Sequence, residues 1–198
     1  NARPTHAEMG EKLRRHGIDP GPHLLTSPMA AAALLAPAER VLVCGGPGVW
    51  EAVVARGAVP VEPTDLDPRR AGGAVDAVVV GLHTDFDYSR LAVASAAVHG
   101  GARLVATNDD SSYPADGVLL PGAGAIVAAV ERATGVRAEG AGKPHPTMTA
   151  LDRARPGTAG TVGWRPIARR FAMGHRGPDA TPAPADALTG LAWVDGPE

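Results

Sequence analysis

The chain has 198 residues, 44% of them apolar and 20% charged, with a formal net charge of −2. That composition is globular rather than disordered or fibrous, and the mixing of signs along the chain offers no basic face to nucleic acid or to a membrane. Cys44 is the only cysteine, so no internal disulfide can form and a reducing cytoplasm is the expected compartment. No apolar run approaches the roughly 20 residues of a membrane helix. No signal peptide is recognisable, and the chain begins at Asn1 rather than Met.

Residues 6–16 (HAEMGEKLRRH) place Met9 and Leu13 four apart, which predicts an amphipathic helix. A second helix is expected over 24–36, with Thr26 or Ser27 as N-cap and Pro28 in its first turn. RVLVCGG at 40–46 reads as a buried strand, with Cys44 an inert core residue. GVWEAVVARG at 48–57 reads as a helix closed by Gly57. A strand follows at 74–82, a helix at 87–102 ending on Gly-Gly, a strand at 103–108 and a helix at 122–135. This alternation predicts an α/β fold, with a mainly parallel sheet and helices on its faces. The stretch GPDATPAPADALTG near the end is rich in Pro, Ala and Gly and reads as loop or poorly ordered chain.

The stretch AGKPHPTM, residues 141–148, carries the most chemistry. Gly142 ends a strand, Lys143 follows at the strand end, and Pro144 and Pro146 open a helix, where a proline costs no intrahelical bond. A cation beside the free N–H groups of a helix start suits an anion, above all a phosphate. The alternative is an ordinary surface lysine in a Gly/Pro turn. His145 is then either a substrate-facing group or a solvated turn residue.

Other candidates are weaker. GGPG at 45–48 lies between a strand and a helix, but the third glycine of a dinucleotide fingerprint falls on Glu51, whose carboxylate would repel a phosphate. A tight strand–helix turn is the better reading. ATNDD at 106–110 ends a strand in polar residues, and strand carboxyl ends face the ligand crevice of an open parallel sheet. Thr107, Asn108 and Asp109 are therefore substrate-facing candidates, with a locally capped Asx-turn as the alternative. Adjacent Asp109 and Asp110 make a poor metal site without further ligands. PGAGA at 121–125 is better read as close helix–sheet packing than as an anion loop. The seven histidines show no zinc spacing.

With these segments in place, the chain resembles the NagD-like branch of the haloacid dehalogenase superfamily of phosphatases. NARPTHAEMGEKLRRHGID resembles the segment after the second motif, and TSPMAAAALL the entry to the inserted cap. VVVGLHTDFDYSRLAVA is similar to the cap's central strand and helix; LVATNDDSSYP and LLPGAGAIVAAVERATG follow in family order. AGKPHPTM is similar to the third motif, and TVGWRP stands where the fourth belongs.

The resemblance implies magnesium-dependent hydrolysis of phosphomonoesters, with a D-x-D nucleophile and acid, a phosphoryl-binding hydroxyl, the third-motif lysine and fourth-motif acids. Lys143 matches that lysine, and Asn1 matches the end of the second motif, a substrate-binding position. The D-x-D pair of the first core strand would precede Asn1. In the fourth motif Gly163 is present, but Trp164 stands at the first magnesium-holding acid, and Arg169 and Arg170 would repel the ion; Asp179 lies too far along.

The expectation is a truncated, degenerate phosphatase with a partial Rossmann-like core and an inserted α/β cap. Residues 1–25 and 141–198 would be core and 26–140 the cap. The implied substrate is a small phosphorylated metabolite, a sugar, glycerol or aryl phosphate, and the chain alone is expected to be inactive. Magnesium is the implied cofactor, although this sequence lacks the acids to hold it. The alternative is a non-catalytic small-molecule-binding or dimerisation domain, and the resemblance implies a homodimer through the cap. A shifted reading frame over 152–182 is a further reading of the abrupt change in composition there.

Overall fold

The computed structural model describes residues 3–115, 117–142 and 145–154. Helix α1 (His6–Arg15) opens with a reciprocal capping box. The Thr5 hydroxyl accepts the Glu8 N–H at 3.2 Å, and the Glu8 carboxylate accepts the Thr5 N–H at 2.8 Å. Helix α2 (Ser27–Ala33) is shorter than the apolar run that predicts it. Thr26 occupies its N-cap position without a side-chain bond, and the chain leaves the helix at Leu34.

The centre is a five-stranded, wholly parallel sheet of order β2-β1-β3-β4-β7. Its strands are β1 (Arg40–Cys44), β2 (Val59–Val61), β3 (Ala77–Val80), β4 (Arg103–Ala106) and β7 (Glu139–Gly140). Between them run α3 (Pro47–Ala55), α4 (Tyr88–His99) and α5 (Ala123–Thr134), and α6 (Pro146–Arg153) follows β7. The helix opening at Pro146 agrees with the reading of AGKPHPTM. Strands buried on both faces must be apolar throughout, which is why VLVC and AVVV show no alternation.

Alternate side chains still sort to opposite layers. Val41, Val43, Val79 and Val105 pack with Ala30, Ala31, Leu35, Val49, Val53 and Met148, so α2, α3 and α6 cover one face. Leu42, Cys44, Val78, Val80 and Leu104 pack with Val93, Ala97, Val127 and Val130 of α4 and α5 on the other. Each fully buried valine or leucine contributes about 1.5–3 kcal/mol.

Two elements escape the sequence reading. Strand β2 is three residues long with Pro60 in its middle; a proline survives there because β2 is the edge strand of the sheet among the described residues. β5 (Ser112–Ala115) and β6 (Val118–Pro121) form a separate antiparallel hairpin, in which Ala115 faces Val118. Gly117 between them has φ +79°, the left-handed region that tight hairpin turns require. No helix among the described residues is long and apolar enough to cross a membrane.

Candidate functional site

Strand β1 lies between β2 and β3, and α3 and α4 leave these strands on opposite faces of the sheet. Such a reversal opens a crevice at the carboxyl ends of the two strands. A cleft of about 710 Å³ lies there, within the range of small-molecule sites. Its walls are the loop Gly45–Pro47 after β1, the loop Leu82–Asp85 after β3, Trp50 and Glu51 of α3, Glu62, Arg90 of α4, and Arg3 and Thr5 from the start of the chain.

The loop after β3 and the first turn of α4 set the electrostatics. Asp87 is the N-cap of α4: its carboxylate accepts the Arg90 N–H at 2.8 Å and pairs with the Arg90 guanidinium at 3.1 Å. The backbone bond from Arg90 is the main reason its pKa lies below the ordinary aspartate value. His83 is pushed below the usual imidazole value, first by burial and then by the Arg90 charge, so the ring is neutral at neutral pH. It then offers one nitrogen as donor and one as acceptor. His83 Nδ1 and Arg90 Nε are buried, with no hydrogen-bond partner among the described residues. Leaving such atoms unpaired costs about 1–3 kcal/mol each. Behind them Cys44 is fully buried, and burial pushes its thiol up to about 12, confirming it as inert.

The GGPG loop does not cradle a phosphate. The Gly48 N–H donates to the Arg3 carbonyl at 3.0 Å, and the Glu51 carboxylate accepts the His6 N–H at 2.7 Å. Of the donors a phosphate would need at this helix start, the Gly48 N–H is turned to Arg3 and the Val49 and Trp50 N–H groups to the Gly46 carbonyl.

The candidates chosen from sequence gather one strand further along the same edge. Thr107 is fully buried, and its hydroxyl donates to Asn108 Oδ1 at 2.8 Å. The Asn108 amide donates to Asp110 at 2.8 Å, and His145 Nε2 lies 3.4 Å from an Asp109 carboxylate oxygen. Gly142 brings the turn after β7 against the Thr107 carbonyl, closer than a side chain would permit. Thr107, Asn108, Asp109 and His145 are thus brought together, and their polar atoms engage one another. Lys143 and Asn1 lie outside the described residues, as do Gly163, Trp164, Arg169, Arg170 and Asp179.

Gly122 and Gly124 lie against the carbonyls of Asp110 and Asp109, so PGAGA serves packing. No group of three or more His, Cys, Asp or Glu that could hold a metal ion occurs among the described residues.

His83, Arg90 and Arg3 were not picked out from sequence. The rule that directs attention to ATNDD, polar residues following a strand, applies equally to GLHTD after β3. His83 was weighed only for zinc spacing. Nothing local marks Arg90 or Arg3, which reach the cleft through the fold.

No family model matches the chain. An acid sugar phosphatase of Staphylococcus aureus (strain USA300) is 36% identical over 152 residues, 75% of this chain and 55% of that protein. A glycerol phosphate phosphatase from Mycobacterium tuberculosis, solved in complex with magnesium, superposes with a TM-score of 0.70 at 38% identity, covering 78% of this chain and 46% of that one. A mutant of a thermostable p-nitrophenylphosphatase from Bacillus stearothermophilus gives a TM-score of 0.64 at 30% identity, over 76% of this chain and 56% of that one. The chain therefore spans about half the length of the relatives it matches.

Proposed function

The chain belongs to the NagD-like branch of the haloacid dehalogenase superfamily, and from that premise we propose that it serves the hydrolysis of small phosphomonoesters. Sugar, glycerol and aryl phosphates are the proposed substrates, after the relatives' names. The observation that carries the reading is the cleft at the β1–β3 strand ends, lined by His83 and Arg90, whose Nδ1 and Nε are buried without partners among the described residues. A hydroxylated or anionic leaving group would meet the half-exposed parts of the His83 ring and the Arg90 side chain that line the cleft. Lys143, three residues after β7 in the sequence, is the proposed phosphoryl-binding cation. Asn1, Thr107, Asn108, Asp109 and His145 are proposed to line the substrate's path. Magnesium is the cofactor the family implies, but no acid cluster among the described residues fits it. Residues 26–140 are proposed as the cap and the flanking segments as core, in a cytoplasmic protein.

Because Trp164 stands at a metal-acid position, the chain on its own is proposed to be inactive. Two measurements test the reading. Purified protein with p-nitrophenyl phosphate and magnesium should show no turnover; magnesium-dependent hydrolysis that survives repurification would refute inactivity. Titration with glycerol 3-phosphate should shift NMR signals of residues 82–90, and Lys143→Ala should weaken that response. A wild type without such shifts would sink the substrate reading.

One observation favours the second reading, a dimerisation module. Hairpin strand β6 exposes Val118, Leu119 (74% accessible) and Leu120 without a charged residue. A second copy would present the same apolar strand across a two-fold axis. Sedimentation of wild type and Leu119→Lys tests it, and a monomeric wild type would dismiss it.

A further inference from the structure

Residues 3–6 are tied to α3 by two reciprocal bonds. The first turn of α3 gives the Gly48 N–H to the Arg3 carbonyl at 3.0 Å, and the first residue of α1 gives the His6 N–H to the Glu51 carboxylate at 2.7 Å. Each helix start thus has an orphan donor satisfied by the other segment. The His6 ring extends the tie, with Nε2 3.2 Å from the Leu24 carbonyl.

Gly46 makes the approach possible. A Cβ there would stand 2.8–2.9 Å from Cγ, Cα and the carbonyl oxygen of Arg3, closer than real Cβ contacts come. Its φ of −76° and ψ of −179° are open to any residue, so the glycine is required for room rather than for conformation. The segment held in this way carries Arg3 and Thr5 into the wall of the cleft that His83 and Arg90 also line.

We propose that Glu51 is a positioning residue: its carboxylate holds the His6 N–H, and with the space at Gly46 it seats residues 3–6 as one wall of the cleft. The functional meaning of this seating rests on the cleft being the leaving-group pocket proposed above. Glu51 is exposed on α3 and makes no contribution to the buried layers, so its replacement leaves the sheet intact. Glu51→Ala removes the acceptor, Glu51→Gln keeps an oxygen in its place, and Gly46→Ala wedges Arg3 away by a different route.

The test uses the full chain, with amide hydrogen exchange at His6 and Gly48 and NMR titration with glycerol 3-phosphate. Glu51→Ala and Gly46→Ala should speed exchange at His6 about tenfold, the scale of one lost charge-assisted hydrogen bond. Both should weaken the probe response at residues 83–90 with little change in melting temperature. Glu51→Gln should restore both readouts most of the way. His6 exchange in Glu51→Ala equal to wild type overturns the proposal. So does release of residues 3–6 without any change in probe response, in a wild type that binds the probe. Probe shifts absent from the wild type itself strike the substrate reading instead, and the exchange pattern then decides the seating.

Discussion

Two neighbouring stretches of the sheet's carboxyl edge end in polar residues, and they differ in what those residues already hold. After β4, Thr107, Asn108 and Asp110 form a chain of hydrogen bonds, and His145 reaches across to Asp109. After β3, His83 and Arg90 line a cleft of about 710 Å³, and each keeps one buried nitrogen, His83 Nδ1 and Arg90 Nε, without a hydrogen-bond partner among the described residues. Sequence chemistry looks equally promising at both. The difference lies in satisfaction: a closed network stabilises a turn, whereas polar side chains that line a cleft without a closed network keep groups open to a ligand.

The sharpest test of the closed end is Gly142→Ala. Its Cβ would meet the Thr107 carbonyl, a backbone atom that cannot swing aside. Overpacking of this kind costs about 1–3 kcal/mol, which should lower the melting temperature by roughly 2–12 °C on the scale of about 2–4 °C per kcal/mol for a chain of this size. An unchanged melting temperature would show that the turn after β7 is not tied to β4.

The open end should respond in binding rather than stability. Arg90→Gln removes the guanidinium from the cleft and should weaken glycerol 3-phosphate binding about tenfold or more, measured by NMR titration. Thr107→Val is the matched control. It deletes one hydroxyl bond in the closed network and should cost about 1 kcal/mol in urea unfolding, with a smaller loss of probe affinity than Arg90→Gln. Reversal of that pattern would exchange the roles of the two ends.

Acid should separate the ends further. The folded pKa of His83 lies below its ordinary 6.5 because of burial and Arg90. Below pH 6.5 the unfolded ring therefore binds more protons than the folded one. Stability present above that pH is lost as pH falls from 6.5 toward the folded value, and the loss levels off below it. His83→Gln should flatten this part of the stability profile; an unchanged slope would show that another group titrates there. The smallest signal is a kinetic one. With its thiol pushed up to about 12 by burial, Cys44 should resist iodoacetamide in the native protein and become labelled only as fast as the chain opens.

The order and type of the long elements were legible from local pattern alone. VLVC and AVVV are apolar on every residue, which only a strand covered on both faces tolerates, and helices between them force parallel neighbours. The family resemblance likewise rests on segments read in order along the chain, and the relatives bear it out. Short elements were harder. Pro60 and Pro114 mask β2 and β5, because a proline argues against a strand unless one already knows that the strand lies at an edge or in a hairpin.

The site divides in the same way. That polar residues after β4 and β7 would sit together follows from their position at strand ends, which sequence supplies. Whether those residues were open to a ligand depended on distances of about 3 Å between side chains, and these arise only when β4 and β7 pair and Gly142 closes on Thr107. The cleft was decided entirely by tertiary structure. Arg3, Trp50, His83 and Arg90 are scattered over nearly 90 positions of the sequence, and they converge because α3 and α4 leave β1 and β3 on opposite faces. Local pattern encodes what a segment becomes; which polar atoms remain without partners is settled only when the layers meet.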